Sequence, residues 1–353
     1  MEQKKLELFL PRVQASPWIA LDTEADSLHA YPEKLCLLQV STPHGEDLID
    51  PLANLDLAPF FAALRGHELI LHGADYDLRL LKRTYNFTPT SVFDTMLAAR
   101  LLGYPQFGLT HLVEQKLGIA LEKGPQKMNW ARRPLTERME KYARNDTHYL
   151  KPLSDLLRSE LTEKGRLSWL EEMGARLIED CSEAPEFDRE TVWKLKGSDK
   201  LTRRQMGILR EIWFWREKEA RQANKPPYFI VSHEILLAIA RDASTRAEAE
   251  ALVPDHFSFR RREALLQAFE AGVQLPPADL PLPRKSIYYH PSMAEQQRFN
   301  QLRDIRDRAA DELQIDPTLI ASRAALVLLA RDWDANQPRL MAWQKKLLSA
   351  SPL

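Results

Sequence analysis

The sequence contains few cysteines and no long apolar run, and each of these two absences excludes a class of protein. Only Cys36 and Cys181 occur among the 353 residues, which excludes a disulfide framework and a cysteine metal site and favours a reducing cytoplasm. No stretch approaches the ~18 to 20 consecutive apolar residues of a membrane span. The N-terminus also lacks the uninterrupted apolar segment and small-residue cleavage site of a secretory signal. We therefore expect a cytoplasmic protein that does not enter a membrane.

The sequence also has almost no net charge and no nucleotide-binding loop. A formal net charge of -1 gives no general attraction to polyanions, so binding of nucleic acid would need local basic patches or metal ions. The absence of a G-x-x-x-x-G-K segment argues against ATP-driven helicase action. With 44% apolar and 28% charged residues, the composition is that of a globular protein, and the length suggests about two or three domains.

The first part of the chain alternates between two kinds of pattern. From residue 17 to about 95, short apolar runs typical of strands, such as WIALD at 18–22, alternate with helical runs such as DLRLLKRTY at 77–85. Apolar residues then recur at three- and four-residue spacing through about residue 160. These patterns predict an α/β domain over residues 1–165, in which helices flank a mixed central sheet.

The remaining sequence is helical in pattern and contains a candidate repeat. A helix-rich connector at 166–198 leads to an all-helical block at 199–274, and a second block follows at 287–353. LREI in the first block recurs as LRDI in the second, which indicates two related modules. The prolines of residues 275–286 predict an extended linker between the two blocks.

Three acids stand close together after the first strand-like run, in the segment LDTEAD at 21–26. Because side chains alternate along a strand, Asp22 and Glu24 point to the same face, and two like charges repel unless a cation lies between them. A solvated strand end is the alternative. Asp26 has the same parity only if the strand extends that far, and we expect it to be exposed or to cap a turn.

Two further segments contain acids that could join this site. In HGADYDLRLL, Asp75 and Asp77 stand at the start of a predicted helix, where either carboxylate could instead be a helix cap. In KYARNDTHYL, Tyr142 and Asp146 are four residues apart and so lie on one face of a predicted helix. Asp94 precedes another apolar helical run, and an N-cap is its simpler interpretation.

Taken in order, DTE, HGADYD and YARND resemble the three motifs of the DEDD superfamily of 3′-5′ exonucleases, in its tyrosine-bearing subclass. Within that superfamily, the segment LEKGPQKMNWARRPLTERMEKYARNDTHYL is similar to the ribonuclease D family. The resemblance is close over about residues 17–155, and the two helical blocks look like the helicase-and-RNase-D C-terminal (HRDC) domain, once clearly and once in diverged form. It implies a ribonuclease H-like α/β exonuclease domain followed by two all-α HRDC-type helical domains, at 199–274 and 287–353.

The resemblance also implies a set of catalytic residues. Spacing from the histidine at the strand end selects Asp77, rather than Asp75, as the aspartate of the second motif. Tyr142 would orient or help to deprotonate the attacking water. Two divalent metal ions, Mg²⁺ or Mn²⁺, would be bound, since carboxylate oxygens suit these metals. The implied metal ligands are Asp22, Glu24, Asp77 and Asp146.

Four further residues are candidates for contact with the substrate. His72 ends a strand-like run and could equally be a core histidine. Trp130 with Arg132 and Arg133 supplies an aromatic ring and two cations near the third motif, a set suited to stacking on a base or holding phosphates. Arg133 stands next to Pro134 and could equally hold the loop in place. The predicted substrate-binding residues are His72, Lys123, Trp130 and Arg133.

The resulting prediction is a metal-dependent 3′-5′ exoribonuclease that releases nucleoside 5′-monophosphates, with tRNA 3′ maturation as its role. The predicted partners are tRNA precursors and other small structured RNAs, and the HRDC-type domains would be accessory nucleic-acid-binding modules. We expect neither a membrane nor an obligate protein partner. A single-strand DNA exonuclease of the same superfamily is one alternative, because the acids do not read the sugar. A non-catalytic RNA-binding protein is another, although the complete set of acids and the tyrosine argue against it.

Overall fold

The N-terminal region forms one mixed sheet, as its alternating pattern predicts. The computed structural model describes residues 2–122, 124, 126–183, 188–282 and 289–349. Within these residues the strands are β1 (Ile19–Ala25), β2 (Leu35–Thr42), β3 (Gly45–Ile49), β4 (Glu68–Leu71) and β5 (Ser91–Asp94). They form a sheet in the order β3-β2-β1-β4-β5, so that β1 is central. β1 pairs antiparallel with β2 and parallel with β4, which makes the sheet mixed.

Helices cover both faces of this sheet. In the same region they are α1 (Gln3–Ala15), α2 (Ala58–Leu64), α3 (Asp75–Tyr85), α4 (Thr95–Leu102), α5 (Leu109–Leu117), α6 (Glu137–His148), α7 (Leu150–Glu163) and α8 (Leu167–Ser182). Residues of α1, α2 and α3 share one core cluster with the sheet, and residues of α4, α5 and α7 share another. No helix among the residues described is long and apolar enough to cross a membrane.

The two faces of β1 contact different layers. Leu21 is fully buried in the cluster that contains α1, α2 and α3. Ala20 is buried on the opposite face with residues of α4 and α7. Asp22 and Glu24 share the parity of Ala20, and α6 packs over β1, β2 and β3 on that face. The sheet therefore directs both acids towards α6 and directs Thr23 towards α3.

The chain divides into two compact units. Of the described residues, the first unit contains 2–25, 35–183 and 289–349, and the second contains 26–34 and 188–282. The second unit thus includes the loop between β1 and β2 as well as a helical region. The predicted linker at 275–286 lies partly outside the described residues.

The helical region of the second unit has its own apolar core. Its helices, which we call the first helical module, are α9 (Arg203–Ala223), α10 (Pro227–Ile230), α11 (His233–Asp242), α12 (Arg246–Ala251) and α13 (Phe259–Gln274). Trp213 and Trp215 are buried in this core with Phe269, and Phe214 is partly buried against it. Tyr31, from the loop at 26–34, packs on the same core and hydrogen bonds to Glu217.

A second set of helices in the first unit repeats this order. These helices, which we call the second helical module, are α14 (Met293–Leu313), α15 (Pro317–Ile320), α16 (Arg323–Arg331), α17 (Trp333–Asn336) and α18 (Ala342–Leu348). α14, α15 and α16 each begin 90 residues after α9, α10 and α11. The candidate repeat seen in the sequence therefore corresponds to a repeated order of helices.

The second helical module shares its core with the region that contains the sheet. Buried Arg166, just before α8, donates to the carbonyls of Leu101 at 2.7 Å and Leu313 at 2.8 Å, which end α4 and α14. The rings of Trp169 in α8 and Trp343 in α18 stack with their centroids 4.7 Å apart. One arginine thus satisfies carbonyls at two helix ends, and the two parts of the unit are joined by both polar and apolar contacts.

Candidate active site

β1 and α6 bring three carboxylates together. Asp22 and Glu24 extend from β1, and Asp146 extends from α6. One carboxylate oxygen from each of these residues lies within 4.8 Å of the other two, and they form the group of potential metal ligands found in the described part of the chain. The fold therefore unites the first and the third acidic segments of the sequence.

These carboxylates are partly buried and repel one another. Burial, followed by the charges of Asp77, Asp146 and Glu24, raises the pKa of Asp22 well above its ordinary range. Burial and the charges of Asp146 and Asp77 raise the pKa of Glu24 to about 9. Burial raises the pKa of Asp146 to about 7, against the opposing effect of a hydrogen bond from Tyr142. A cation among these oxygens would relieve the repulsion and compensate for the lost hydration.

Of the two aspartates in HGADYD, Asp77 is the one that faces this group. Asp77 is buried and accepts a hydrogen bond from the hydroxyl of Thr23, whereas Asp75 is exposed and pairs with Arg79 at 3.0 Å. Burial raises the pKa of Asp77 to about 7, against the opposing effect of the Thr23 hydrogen bond. We use the name acidic centre for Asp22, Glu24, Asp77 and Asp146.

Tyr142 lies one helical turn before Asp146 and adds a phenol to the acidic centre. It is within hydrogen-bond reach of Asp146 and of Gln126. Burial first, and the charge of Asp146 second, raise the pKa of Tyr142, so the phenol keeps its proton at neutral pH. The one phenolic proton is directed at Asp146, and the phenolic oxygen can accept a hydrogen bond from a water. The phenol therefore suits orientation of a water better than deprotonation of it.

The ring of Tyr142 is enclosed by its neighbours. The backbone of Gly124 lies against one side, and a Cβ added at Gly124 would be 1.5 Å from the ring Cδ2 of Tyr142. The indole of Trp130 lies on another side, with ring centroids 6.1 Å apart. Because an alanine at position 124 would displace the phenol, glycine is required there for a reason of space.

The structure contradicts two of the predicted substrate contacts. Trp130 is 0% exposed, in a cluster with Leu37 and Met139, so it cannot stack on a base. Arg133 donates to both carboxylate oxygens of Asp50, at 2.5 and 2.6 Å, and to three backbone carbonyls. All five of its N–H groups are used in these bonds, which leaves none for a phosphate. Both predictions are therefore wrong, and the alternative, that Arg133 holds its loop in place, is confirmed.

Asp94 connects strand ends to two helices. Its carboxylate accepts from the backbone N–H groups of Met96 at 2.8 Å and Leu97 at 3.3 Å, at the start of α4. It also accepts from Gly73 at 3.0 Å and Ala74 at 2.9 Å, just before α3. The predicted N-cap is confirmed, and the same carboxylate fixes the start of the helix that carries the second acidic motif.

His72 has a partner inside the protein. Its Nδ1 lies 2.9 Å from the hydroxyl oxygen of Thr95, which itself donates to the carbonyl of Leu71. Burial lowers the pKa of His72, against the opposing charge of Asp94, so the ring is neutral at pH 7. These contacts fit the core-histidine alternative. Lys123, the other candidate of this kind, lies outside the described residues.

Asp26 differs from its expected exposure. It is 1% exposed, its Oδ1 accepts from the backbone N–H of Lys34 at 2.7 Å, and its Oδ2 lies 3.4 Å from the ammonium of Lys34. The expectation of an exposed side chain is therefore wrong, and the alternative of a turn cap is confirmed. Asp26 closes the loop that follows β1.

Two residues that shape this site, Thr23 and Gly124, were not among the predicted site residues. Thr23 stands between the two acids of DTE, and strand parity alone could have directed it towards α3, where its hydroxyl donates to Asp77. No sequence pattern marks Gly124, because its contact with Tyr142 is between a loop and a helix, and neither strand nor helix periodicity predicts such a contact. Both residues act by holding a neighbouring side chain in place.

The donor set of the acidic centre fits a divalent cation. Carboxylate oxygens are hard ligands of the kind that Mg²⁺ and Mn²⁺ prefer, and three of them converge here. Repulsion and burial, both seen in the raised pKa values, make the centre unfavourable without a compensating positive charge. Such a centre can bind metal ions that activate water and stabilise charge on a phosphoryl group.

Two protein families match this chain in sequence. Residues 1–162 match the family model described as a 3′-5′ exonuclease, and residues 205–249 match that of the HRDC domain. The chain is 31% identical over 340 residues to ribonuclease D of Desulfotalea psychrophila, covering 94% of this chain and 90% of that relative. It is 30% identical over 351 residues to ribonuclease D of Gluconacetobacter diazotrophicus, covering 97% and 88%.

Solved structures share the fold over nearly the whole chain. Escherichia coli RNase D, described as an exoribonuclease involved in structured RNA processing, has a TM-score of 0.76 at 26% identity, covering 99% of this chain and 98% of that one. A protein from Bifidobacterium adolescentis has a TM-score of 0.82 at 22% identity, covering 98% and 94%, which concerns the fold alone. The predicted architecture, an α/β exonuclease domain followed by HRDC-type helices, is confirmed.

Proposed function

The chain belongs to the ribonuclease D family of 3′-5′ exonucleases, and from that premise we propose that its acidic centre hydrolyses RNA from the 3′ end. The products are nucleoside 5′-monophosphates, and the cofactors are two divalent ions, Mg²⁺ or Mn²⁺. Membership of this family implies dependence on divalent metals. The observation that carries the proposal is the convergence of Asp22, Glu24 and Asp146 within 4.8 Å.

The side chains of the acidic centre divide the work of phosphodiester hydrolysis. When bound, the two ions would supply an activated water and stabilise charge on the phosphoryl group and on the departing 3′-oxygen. Asp22, Glu24 and Asp146 would hold them, and Asp77, kept in place by Thr23, would complete the ligand set. The neutral phenol of Tyr142 would orient the attacking water by a hydrogen bond.

We propose tRNA precursors and other small structured RNAs as substrates. This choice follows from membership of the ribonuclease D family and from the HRDC-type module, which provides a helical surface separate from the acidic centre. The centre itself recognises a phosphodiester and not a sugar, so preference for RNA would come from contacts with the 2′-hydroxyl. Matched RNA and DNA oligonucleotides therefore test the substrate class separately from the chemistry.

The test compares two aspartates of the same segment. Asp77→Asn should lower the rate of monophosphate release at least about 100-fold, because it alters a member of the metal site itself. Asp75→Asn should retain near-normal activity, because Asp75 is exposed and outside the acidic centre. The assay follows release of nucleoside 5′-monophosphates from a 3′-labelled RNA with Mg²⁺, with Mn²⁺ and after chelation.

A second substitution tests the first motif. Asp22→Asn should abolish turnover and leave RNA binding largely intact, because a neutral amide is a weaker ligand for a divalent cation than a carboxylate but adds no bulk. Full activity of Asp22→Asn in metal-supplemented buffer would contradict the proposed site. Equal degradation of matched RNA and DNA would contradict the proposed RNA preference, and RNA binding without metal-dependent product release would favour a non-catalytic protein.

A further inference from the structure

Gln39 is a buried polar side chain that the proposed mechanism does not use. It lies in the middle of β2, is 0% exposed, and neither its side-chain oxygen nor its nitrogen has a hydrogen-bond partner among the described residues. A buried amide without partners destabilises a fold, because it loses its bonds to water and gains none in return. An apolar residue of similar size would suit this position better for packing alone.

The position of Gln39 is set by its pairing across the sheet. In the antiparallel pair of β1 and β2, Gln39 stands directly opposite Asp22. Residues paired in this way have side chains on the same face, with Cβ atoms about 4.5–5.5 Å apart. Gln39 is therefore an immediate neighbour of Asp22 on the face where the acidic centre lies.

The residues on either side of Gln39 show what covers this face. Two positions earlier, Leu37 packs with Met139 and Ala143 of α6. Two positions later, the hydroxyl of Ser41 donates to that of Thr147 in α6 at 2.7 Å. Gln39 thus lies under the helix that carries Tyr142 and Asp146, between two residues that already have their contacts with that helix.

The chemistry of the amide matches that of its neighbours. A glutamine side chain offers two N–H donors, and an ionised carboxylate accepts hydrogen bonds only. The acidic centre has an excess of acceptors, with Asp22, Glu24 and Asp146 within 4.8 Å of one another. A neutral donor can fix the orientation of a ligand carboxylate without adding a positive charge that would compete with a metal ion.

We propose that Gln39 is a positioning residue of the acidic centre, which donates a hydrogen bond to the carboxylate of Asp22 when that carboxylate binds a divalent cation. This inference rests on the proposed function, because it concerns the same metal site. Gln39 would contact neither the metal ion nor the RNA, and it would act by holding the carboxylate of Asp22 in one orientation.

The test separates metal binding from stability. Gln39→Met and Gln39→Leu remove the donor and leave an apolar side chain. In the full-length protein, titration calorimetry with Mn²⁺ should give an affinity about 10-fold or more weaker for both variants. The urea midpoint of the chelated protein should stay the same or rise, because an unpartnered buried amide is removed. If Gln39 served only for packing, both substitutions would lower the urea midpoint and leave the Mn²⁺ affinity unchanged.

Ser41→Ala is the matched control on the same strand face. It breaks the hydrogen bond to Thr147 and should lower the urea midpoint, but it should leave Mn²⁺ affinity unchanged. Wild-type affinity in both Gln39 variants would overturn the inference, as would an equal loss of affinity in Ser41→Ala. Failure of the wild-type protein to bind Mn²⁺ would instead overturn the proposed function, and with it the premise of this inference.

Discussion

The two helical modules share an order of helices but bury their apolar residues in different places. The first module buries Trp215 and Phe269 in a core that also includes Trp193, which precedes α9, and this core lies within the second unit. In the second module, Leu326 and Trp343 belong to the cluster that contains Phe93 of β5 and residues of α4 and α7. One module is an independent core, and the other completes the core of the catalytic unit.

A single pair of equivalent positions illustrates this difference. Phe229 in α10 is 62% exposed, whereas Leu319, 90 residues later in α15, is 6% exposed and buried in the catalytic unit. The same helical scaffold therefore presents a free aromatic surface in one copy and a core contact in the other. Exposed aromatic side chains favour binding of a partner, and buried leucines favour stability. Similar modules can thus have different roles in one chain.

The largest effect is expected when each module is expressed alone. Residues 188–282 should fold and unfold cooperatively, since they contain nearly all of their core cluster. Residues 289–353 should remain unfolded, because their buried side chains lack the residues of α4, α7 and α8 that cover them. A segment of about 65 residues is only marginally stable by itself, so the loss of this cover should be enough to unfold it. Urea unfolding followed by circular dichroism measures both outcomes.

Cooperative unfolding of residues 289–353 alone would break the comparison, because it would show a core sufficient in itself. The complementary truncation is a chain that ends at residue 288. It should lose solubility or melt at a lower temperature, since the core cluster that contains Leu101 and Leu153 would lose the buried residues that the second module contributes to it. Unchanged melting of that chain would show that the second module adds nothing to the catalytic unit.

Two glycine-to-alanine substitutions should distinguish a contact with the second module from the cost of a left-handed backbone alone. Gly103 has a φ of +86°, and an added Cβ would lie 2.0 Å from the carbonyl oxygen of Gln314 in the second module. Gly103→Ala should lower the free energy of unfolding by about 4 kcal/mol, from left-handed strain and overpacking together. Gly118→Ala, at a φ of +69° with no atom within 4 Å among the described residues, should cost only about 1–2 kcal/mol.

Urea denaturation of the full chain measures both glycine variants. Equal destabilisation by Gly103→Ala and Gly118→Ala would mean that the second module moves away from Gly103 without cost, which would contradict a shared core. A larger effect at Gly103 accompanied by loss of nuclease activity would show that the catalytic unit depends on this contact.

The equivalent positions in α10 and α15 give the next test. Leu319→Ala should destabilise the full chain by about 3 kcal/mol, because it opens a cavity in the core of the catalytic unit. Phe229→Ala should change stability by no more than about 0.5 kcal/mol, because its ring is mostly in solvent. Thermal and urea unfolding of both variants provide the measurement. A comparable effect at the two positions would remove the distinction between the modules.

Sequence patterns predicted which segments form strands and helices better than they predicted which of these elements pack together. The alternation of strand and helix patterns predicted the mixed sheet, and the LREI and LRDI match corresponds to α9 and α14. An amphipathic helix, however, shows that a face is buried and not what covers it. Nothing in the sequence of α18 indicates that Trp343 stacks on Trp169, because that contact joins segments far apart in the chain.

Prediction of the site residues from sequence has the same limit as prediction of the fold. Strand parity predicted that Asp22 and Glu24 share a face, and helix spacing placed Tyr142 one turn before Asp146. Trp130 and Arg133 were predicted wrongly because a tryptophan or an arginine near a motif has the same local sequence whether it is buried or free. The decisive partner of Arg133 is Asp50, 83 residues earlier. The local sequence predicts on which face of a strand or helix a side chain lies, whereas contacts between distant segments decide whether that side chain is buried.

The last expected effect concerns pH, and it should also distinguish the two units. Asp77 and Asp146 have pKa values of about 7, and Glu24 of about 9, in the folded protein, against ordinary values of 3.8 and 4.5. The folded state therefore binds more protons than the unfolded state in this range. Its stability is greatest when these acids are protonated, and it falls as pH rises from about 5 to about 9.

In chelator, the free energy of unfolding of the catalytic unit should fall as pH rises from 6 to 8 by at least about 1.4 kcal/mol for each pH unit, the slope produced by one additional proton bound by the folded state. Residues 188–282 alone, which contain none of the acidic centre, should lack this slope. Asp146→Asn should reduce it, and saturating Mg²⁺ should offset it by stabilising the ionised centre. Urea titrations at three pH values measure the slope. A slope unchanged by Asp146→Asn would mean that other groups titrate, and the acids would then carry no mutual repulsion for a metal ion to relieve.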